Sequence, residues 1–195
     1  MAHLFTIDHI IQWTSLLWLL LAAVWLGSAP FVKPTVQQQS DSSRIAQLAV
    51  LTVVFYLLFG SPSTPAWFNQ PLMPVTLFLA LAGLALVLCG VAFSIWARLT
   101  LGENWSASAT IKQNHTLVLR GPYRMVRHPI YTGLLIGLLG SALQHGLIRS
   151  FVAVLICAVG LWQKLSIEES FMIQRFGHQY LAYRKHVSAL VPFLF

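Results

Sequence analysis

The chain has 195 residues, of which 57% are hydrophobic and only 9% are charged. Soluble domains carry roughly 25% charged residues, so this composition excludes a water-soluble globule and predicts a single polytopic, all-α membrane domain. The net charge of +7 does not predict nucleic-acid binding, because the cations are dispersed among apolar segments and form no hydrophilic basic face. Cations gathered at one membrane surface, facing anionic lipid headgroups, explain the charge better.

Five apolar stretches are candidates for transmembrane helices. They cover residues 10–29, 45–59, 72–99, 130–143 and 147–167. A bilayer core needs about 20 helical residues, so the fourth stretch is short for a crossing and should tilt or begin below the surface. Gly133 and Gly137 give it a smooth face, and the QHG turn that follows predicts a tight hairpin between the last two helices.

Two polar segments are expected at the membrane surface. Residues 101–127 could not lie exposed in hydrocarbon, because their backbone polar groups would have no partners there. Residues 170–187 carry aromatic residues such as Tyr180 and Tyr183 at helical spacing, with cations elsewhere on the helix. That pattern predicts an amphipathic interfacial helix, with Gly177 as the point where it would break.

The distribution of cations predicts the orientation of a five-span chain. Eleven of the twelve Lys and Arg residues fall on the side that holds residues 101–127 and the C-terminus, and only Arg149 falls on the other side. Cytoplasmic segments carry the excess of Lys and Arg, so we expect the N-terminus outside and the C-terminus inside. Within the single domain, three spans in residues 1–100 precede a core in residues 101–195 that contains the hairpin and the amphipathic helix.

Several common motifs are absent from the sequence. Cys89 and Cys157 lie within apolar runs, without metal-site spacing, and indicate neither a metal centre nor a disulfide framework. The sequence contains no Walker A motif, no dinucleotide-binding GxGxxG and no HExxH. Any chemistry must therefore use a cofactor that brings its own reactivity.

Two clusters of ionisable residues at the membrane boundary are functional candidates, since charges near hydrocarbon are costly. They are Arg120, Arg124, Arg127 and His128 before the fourth stretch, and Glu168 and Glu169 at the inner end of the fifth. Adjacent helical residues point about 100° apart, so one glutamate can face a pocket while the other acts as a cap or pairs with an arginine. Each cluster alone also fits a simpler interpretation, namely arginines that anchor lipid phosphates and glutamates at a solvated helix end.

The motif RGPYRMVRHPIYTG, followed by EES and then FGHQYLAYRKHV, resembles the isoprenylcysteine carboxyl methyltransferase family. Phospholipid methyltransferases and some bacterial relatives share the RHPxYxG…EE pattern, and we expect a prokaryotic member. The resemblance covers roughly residues 108–193. RHPxYxG with EE at this separation is a fairly specific signal in a five-span protein, whereas RHP alone is weak.

The resemblance implies an S-adenosylmethionine-dependent methyltransferase, with the cofactor held between the polar loop, the hairpin and the C-terminal segment. It places cofactor contacts at His115, Thr116, Leu117, Val118, Tyr123, His128, Pro129, Ile130, Tyr131, Glu168 and Glu169. It implies catalytic roles for Lys164, Glu168 and Arg127, and Lys164 stands where eukaryotic members have an arginine at the substrate carboxylate. Ser108 stands where those members have a glutamine that contacts the cofactor.

The acceptor that the resemblance implies is the carboxylate of a lipophilic, isoprenylcysteine-like substrate entering from the bilayer. A carboxylate needs no general base, and Lys164 would orient it as a point charge. A phospholipid or other lipid amine is the alternative, and it would require a base such as His128 or a glutamate. Less favoured are a membrane reductase and a non-enzymatic lipid-binding protein. We expect anionic lipids as further partners, and neither nucleic acid nor metal.

Overall fold

Six α-helices make up most of the computed structural model, which describes residues 6–60, 64–106, 110–112 and 116–192. They are α1 (Ile7–Ser28), α2 (Asp41–Phe59), α3 (Leu77–Leu101), α4 (Pro129–His145), α5 (Ile148–Phe176) and α6 (His178–His186). Single 3₁₀ turns at Ala29–Phe31, Ala66–Asn69, Gly102–Asn104 and Gly121–Arg124 connect them. The predicted all-α membrane fold is confirmed.

Four helical segments are long and apolar enough to cross a membrane, namely Ile7–Phe31, Asp41–Phe59, Leu77–Asn104 and Ile148–Phe176. Helix α4 has 17 residues and is about 26 Å long at 1.5 Å per residue, so the predicted short fourth helix is confirmed. It runs antiparallel to α3. Near the start of α4, Ser94 Oγ donates to the Ile130 carbonyl, and near its end Gln144 Nε2 donates to the Ala80 carbonyl. The count of five spans stays a prediction.

Helices α3 and α4 form the closest helix pair in the bundle. A Cβ added at Gly90 would meet backbone atoms of Gly133 and Gly137, and one added at Gly140 would meet the Gly83 carbonyl. These glycines therefore let two backbones approach within van der Waals contact. The short connection through Gly146 makes the expected hairpin of α4 and α5, but the smooth glycine face of α4 packs on α3 rather than on α5.

Two buried arginines close the C-terminal ends of neighbouring helices. Arg98 of α3 donates to the carbonyls of Ser28, at the end of α1, and Gly102, at 2.8 and 3.0 Å. At the opposite end of the bundle, Arg149 of α5 donates to the carbonyl of Leu57, near the end of α2, at 2.6 Å. The last carbonyls of a helix have no intrahelical donors and carry partial negative charge, so both cations are compensated where they are buried.

The C-terminal helices differ from the prediction of one amphipathic helix over residues 170–187. Helix α5 continues through the first part of this range to Phe176. Gly177 then adopts a φ of 51°, which ends α5 and starts α6. The predicted break at Gly177 is confirmed, and the prediction of an interfacial helix now applies to α6 alone.

A small two-stranded sheet was not predicted from the sequence. Strands β1 (Thr35–Gln38) and β2 (Thr110–Lys112) pair antiparallel. They join the loop between α1 and α2 to the polar segment after α3. Both strands are too short to show a clear alternation of apolar and polar residues, so no sequence pattern indicated them.

Gly90→Ala should separate α3 from α4, because the added Cβ would meet backbone atoms of α4. Overpacking a tight interior costs about 1–3 kcal/mol, so we expect a lower midpoint of thermal unfolding in detergent. Gly27→Ala is the matched control, since a Cβ at Gly27 meets no atom within 4 Å. Equal midpoints for the two variants would contradict the close contact of α3 and α4.

Candidate functional site

A cavity of about 580 Å³ lies at the end of the bundle where α1, α3 and α5 finish and α4 begins. This volume falls within the roughly 300–1,000 Å³ typical of ligand pockets. Its walls are mainly apolar, with residues of α2 on one side and the segment after α3, α4, α5 and α6 on the others. Apart from Arg44 of α2, its ionisable side chains belong to the segment before α4, to α4, α5 and α6.

The structure brings most of the predicted site residues to this cavity. Its lining includes Thr116, Leu117, Val118, Tyr123, Arg127, His128, Pro129, Ile130, Tyr131, Lys164 and Glu168. Glu169 lies behind the lining, in contact with residues that form it. His115 and Ser108 lie outside the described residues. The roles assigned to all of these residues stay predictions.

Glu168 presents its carboxylate to the cavity. The Tyr131 hydroxyl donates to Glu168 Oε1 at 2.5 Å, and Lys164 Nζ lies 3.9 Å from the same oxygen. Lys164 precedes Glu168 by one helical turn and also lies 5.3 Å from the centre of the Tyr131 ring. A carboxylate fixed in this way can accept further hydrogen bonds from an ammonium or hydroxyl group of a ligand.

Glu169 points away from the cavity and neutralises the adjacent arginines. Arg127 Nε donates to Glu169 Oε1 at 2.7 Å, and the side chains of both residues are at most one-tenth exposed. Arg184 Nε of α6 approaches the other carboxylate oxygen at 3.4 Å. Glu169 thus ties α5 to α6 and to the segment before α4, while Glu168 faces the ligand space, as the angle between adjacent helical residues allows.

His128 lies between the two glutamates. Its Nδ1 is 3.6 Å from Glu168 Oε2 and its Nε2 is 3.3 Å from Glu169 Oε1, while its ring stacks on Tyr131 with the planes 1° apart. Burial acts to lower the pKa of His128, but the hydrogen bonds and negative charges of Glu168 and Glu169 outweigh it and raise the pKa above its ordinary value. The two glutamates therefore favour the charged form of the imidazole.

The C-terminal segment closes the site from behind. The backbone N–H groups of Arg127 and His128 donate to the carbonyls of Ser188 and Ala189 at 2.8 and 3.0 Å. Arg127 Nη1 also donates to the carbonyl of Val187. These bonds fix the segment that carries the predicted RHP motif. Arg127 consequently holds the C-terminal segment in place in addition to lining the cavity.

Tyrosines of α6 complete this closure. The Tyr183 hydroxyl donates to the Tyr123 carbonyl at 2.5 Å. Burial raises the pKa of Tyr123, and the negative charge of Glu168 adds to the effect. Burial likewise raises the pKa of Tyr183. Both phenols are therefore neutral hydrogen-bond donors at physiological pH, not candidate bases.

Sequence reasoning missed the walls that α1 and α2 contribute. Trp25 of α1 and Gln47, Val50 and Leu51 of α2 line the cavity. Their positions result from helix packing between segments distant in sequence, and the residues themselves are typical of any membrane helix. Within the described ranges, no group of three or more His, Cys, Asp or Glu side chains is placed to hold a metal ion.

The fold and this cavity define a class of multi-pass membrane protein with a ligand site at one end of its helix bundle. The family model for phospholipid methyltransferases matches residues 78–179, which include α3, α4, the RHP segment and both glutamates. Because the match covers more than half of the chain, the chain belongs to this family. The resemblance predicted from RHPIYTG and the paired glutamates is confirmed.

Curated relatives carry the name protein-S-isoprenylcysteine O-methyltransferase. The chain is 35% identical over 104 residues to the protein from Schizosaccharomyces pombe, covering 50% of this chain and 43% of that one. It is 34% identical over 118 residues to protein-S-isoprenylcysteine O-methyltransferase A from Arabidopsis thaliana, covering 57% of this chain and 58% of that one. The chain thus spans about half the length of the curated relatives it matches. Since these relatives are eukaryotic, the expectation of a prokaryotic member stays a prediction.

A solved structure shares the fold. The eukaryotic intramembrane Ras methyltransferase, isoprenylcysteine carboxyl methyltransferase, superposes with a TM-score of 0.54 at 24% sequence identity. The match covers 81% of this chain and 55% of that chain. At this identity, the likeness establishes the arrangement of membrane helices.

The buried position of His128 makes stability depend on pH. Because the pKa of His128 in the folded state lies above its ordinary value of 6.5, its stabilisation is complete below pH 6.5 and is lost as the pH rises through the raised pKa. We therefore expect the thermal unfolding midpoint to fall as the pH rises above 6.5, and to fall less in His128→Gln. His178→Gln on exposed α6 should behave as the unsubstituted protein. A pH profile that His128→Gln leaves unaltered would contradict the charged imidazole.

Proposed function

We propose that this protein is an S-adenosylmethionine-dependent methyltransferase that acts on the carboxylate of a lipophilic, isoprenylcysteine-like substrate at the cytoplasmic membrane face. The observation that carries the proposal is the placement of Glu168, Tyr131, His128 and Lys164 around one cavity in a member of a methyltransferase family. Names of the relatives support the acceptor class.

The residues of the cavity fit the proposed cofactor. Glu168 offers a fixed carboxylate for an amino or hydroxyl group, and the cavity volume of about 580 Å³ is in the range of sites for ligands of this size. Thr116, Leu117 and Val118 lie outside helices and strands and line the same cavity, where they would supply further contacts. The resemblance also assigns cofactor contacts to His115, which lies outside the described residues, and to Glu169, whose carboxylate is engaged by Arg127 and Arg184.

The chemistry asks little acid or base catalysis of the protein. When bound, S-adenosylmethionine supplies a methyl group already activated by the sulfonium, so the transfer depends mainly on alignment of acceptor and donor. Glu168 and Tyr131 would hold the donor side, and Lys164 would orient the acceptor carboxylate. Arg127 would act mainly by fixing His128 and the C-terminal segment, since its Nε is engaged by Glu169.

The acceptor is proposed to reach Lys164 from the bilayer. Val50 and Leu51 of α2 face the cavity with Cys157 and Leu161 of α5, and these apolar side chains suit a hydrocarbon or isoprenoid chain. Lys164 lies one to two turns closer to the polar end of α5, where the carboxylate of such a substrate would be. The apolar side chains thus lie deeper in the bundle and Lys164 lies nearer the membrane surface, which suits an amphiphile whose charged end points towards that surface.

A lipid amine is the second candidate acceptor, favoured by the match to the phospholipid methyltransferase family. Its methylation would need a base to remove a proton from the ammonium. Both ring nitrogens of His128 face carboxylates, and the pKa of His128 is raised by them. An imidazole whose protonated form is stabilised in this way is less available as a base, which favours the carboxylate as the acceptor.

The proposed orientation places the cavity on the cytoplasmic side. Arg120, Arg124 and Lys185 are exposed at the cavity end of the bundle, whereas Arg149 lies at the opposite end. The positive-inside rule then puts the C-terminus in the cytoplasm and the N-terminus outside. Exposed cations at this surface would attract anionic lipid headgroups.

Binding of S-adenosylhomocysteine, the expected product, tests the cofactor. Isothermal calorimetry with the full chain in detergent should show saturable binding, and Glu168→Gln should weaken it by roughly 10- to 100-fold, since a hydrogen bond to a charged group contributes about 1.5–3 kcal/mol. Glu103→Gln is the control, because its side chain is 70% exposed. Absence of binding by well-folded protein would refute the proposal.

The product distinguishes the two acceptors. With methyl-labelled cofactor and either an isoprenylcysteine or a lipid amine, we expect a base-labile methyl ester and no stable N-methyl product. Lys164→Met should raise the KM for the carboxylate roughly tenfold or more through loss of an attractive charge, and Lys164→Arg should restore it. Lys185→Met on α6 serves as the charge-matched control. Labelled N-methyl lipid would instead support the amine.

A further inference from the structure

Two indole rings form a right-angled corner in the cavity wall. Trp25 near the end of α1 and Trp105, which follows the 3₁₀ turn Gly102–Asn104, lie with ring centroids 6.3 Å apart and planes at 83°. Both side chains line the cavity. The match to the family begins at residue 78, so Trp25 lies in a part of the chain that this match does not cover.

Arg98 holds one side of this corner. Its guanidinium carbon lies 4.4 Å from the centre of the Trp105 ring, which is the geometry of a cation–π contact. The residue is only 2% exposed, and it also donates to the carbonyls of Ser28 and Gly102. Burying a charge carries a large desolvation penalty, which only well-formed contacts can offset. Arg98 thereby fixes Trp105 against the ends of both α1 and α3.

Polar groups lie at the edge of the corner. Asn104 and Ser106 flank Trp105 in the chain and line the cavity with it. The Asn104 amide donates to Thr116 Oγ1 at 3.0 Å, which ties the corner to the segment that continues through Val118. An aromatic surface with amide, hydroxyl and backbone groups at its margin suits a planar heterocycle that both stacks and forms hydrogen bonds.

We propose that the corner of Trp25 and Trp105 binds the adenine base of S-adenosylmethionine, with Arg98 as the positioning residue that holds Trp105 in place. The inference rests on the proposed function and assigns one end of the cofactor to one part of the cavity. The sulfur and amino-acid end would then extend towards Glu168, whose carboxylate lies on the α4–α5 side.

Adenine fits this corner better than the apolar chain of the acceptor does. An isoprenoid or acyl chain gains nothing from the polar margin, and covering polar groups without offering them a hydrogen bond would be costly. On the α2–α5 side, Val50, Leu51 and Leu161 offer such a chain an apolar wall, beyond the polar side chains of the first two turns of α2. Stacking on aromatic rings, by contrast, is the usual way in which proteins hold a nucleobase.

The test compares two ligands and a matched set of variants by isothermal calorimetry. The ligands are S-adenosylhomocysteine and 5′-methylthioadenosine, which keeps the adenine, ribose and thioether but lacks the amino-acid part. Trp105→Leu and Trp25→Leu should each weaken the binding of both ligands. For Trp105→Leu we expect an affinity lower by roughly tenfold or more, in line with the contribution of base stacking. Trp105→Phe should stay within about threefold of the unsubstituted protein, because a phenyl ring also stacks.

Trp162→Leu is the control, because Trp162 lies on α5 with 57% of its surface exposed. Arg98→Gln should lower the affinity for both ligands by the same factor. Folding of every variant is checked by its unfolding midpoint. Unaltered affinity for 5′-methylthioadenosine in a folded Trp105→Leu would overturn the adenine assignment while leaving the cofactor intact. Failure of the unsubstituted protein to bind S-adenosylhomocysteine would instead overturn the proposed function, and the assignment with it.

Discussion

Compensation of two adjacent carboxylates at the end of a membrane helix is the constraint on which the site depends. Glu168 and Glu169 point in different directions from α5, and a charge near hydrocarbon is costly unless it is paired. Arg127 pairs with Glu169 at 2.7 Å, and His128 approaches both glutamates. Removing one member of such a buried pair leaves an uncompensated charge, at a cost of about 3–5 kcal/mol. The RHP segment is therefore held where α5 ends.

The same logic extends to the closure of the bundle at its helix ends. Arg98 and Arg149 are buried cations whose partners are helix-terminal carbonyls rather than acids. A membrane protein with only five acidic residues cannot pair every cation with a carboxylate, and C-terminal carbonyls carry the partial negative charge that substitutes for it. This arrangement leaves Glu168 as a carboxylate that faces the cavity.

The sequence predicted the features that depend on local chemistry or on a motif. Apolar length predicted the membrane helices, including the short α4. The adjacency of Glu168 and Glu169 predicted that one can face a pocket while the other acts as a cap or pairs with an arginine, and the structure shows the arginine pair. The packing of the glycine face of α4 on α3 was not predictable, since a smooth face does not specify its partner. Trp25 and Trp105 likewise meet only through the packing of α1 against the end of α3. Continuation of α5 to Phe176 was missed because its aromatic spacing also fits a surface helix.

The cavity combines two parts of the chain with different constraints. Residues 78–179, which the family model matches, supply Glu168, His128 and Lys164, whose mutual geometry is fixed by the buried charges of the α4–α5 end. Helix α2 lies outside that range and supplies Val50 and Leu51, whose apolar contacts are non-directional. Methyl transfer requires alignment in one place, whereas an apolar wall tolerates substitutions that preserve volume. In the proposed reaction, the charged end of the cavity would align donor and acceptor, and the α2 wall would accommodate variation among acceptors without disturbing that alignment.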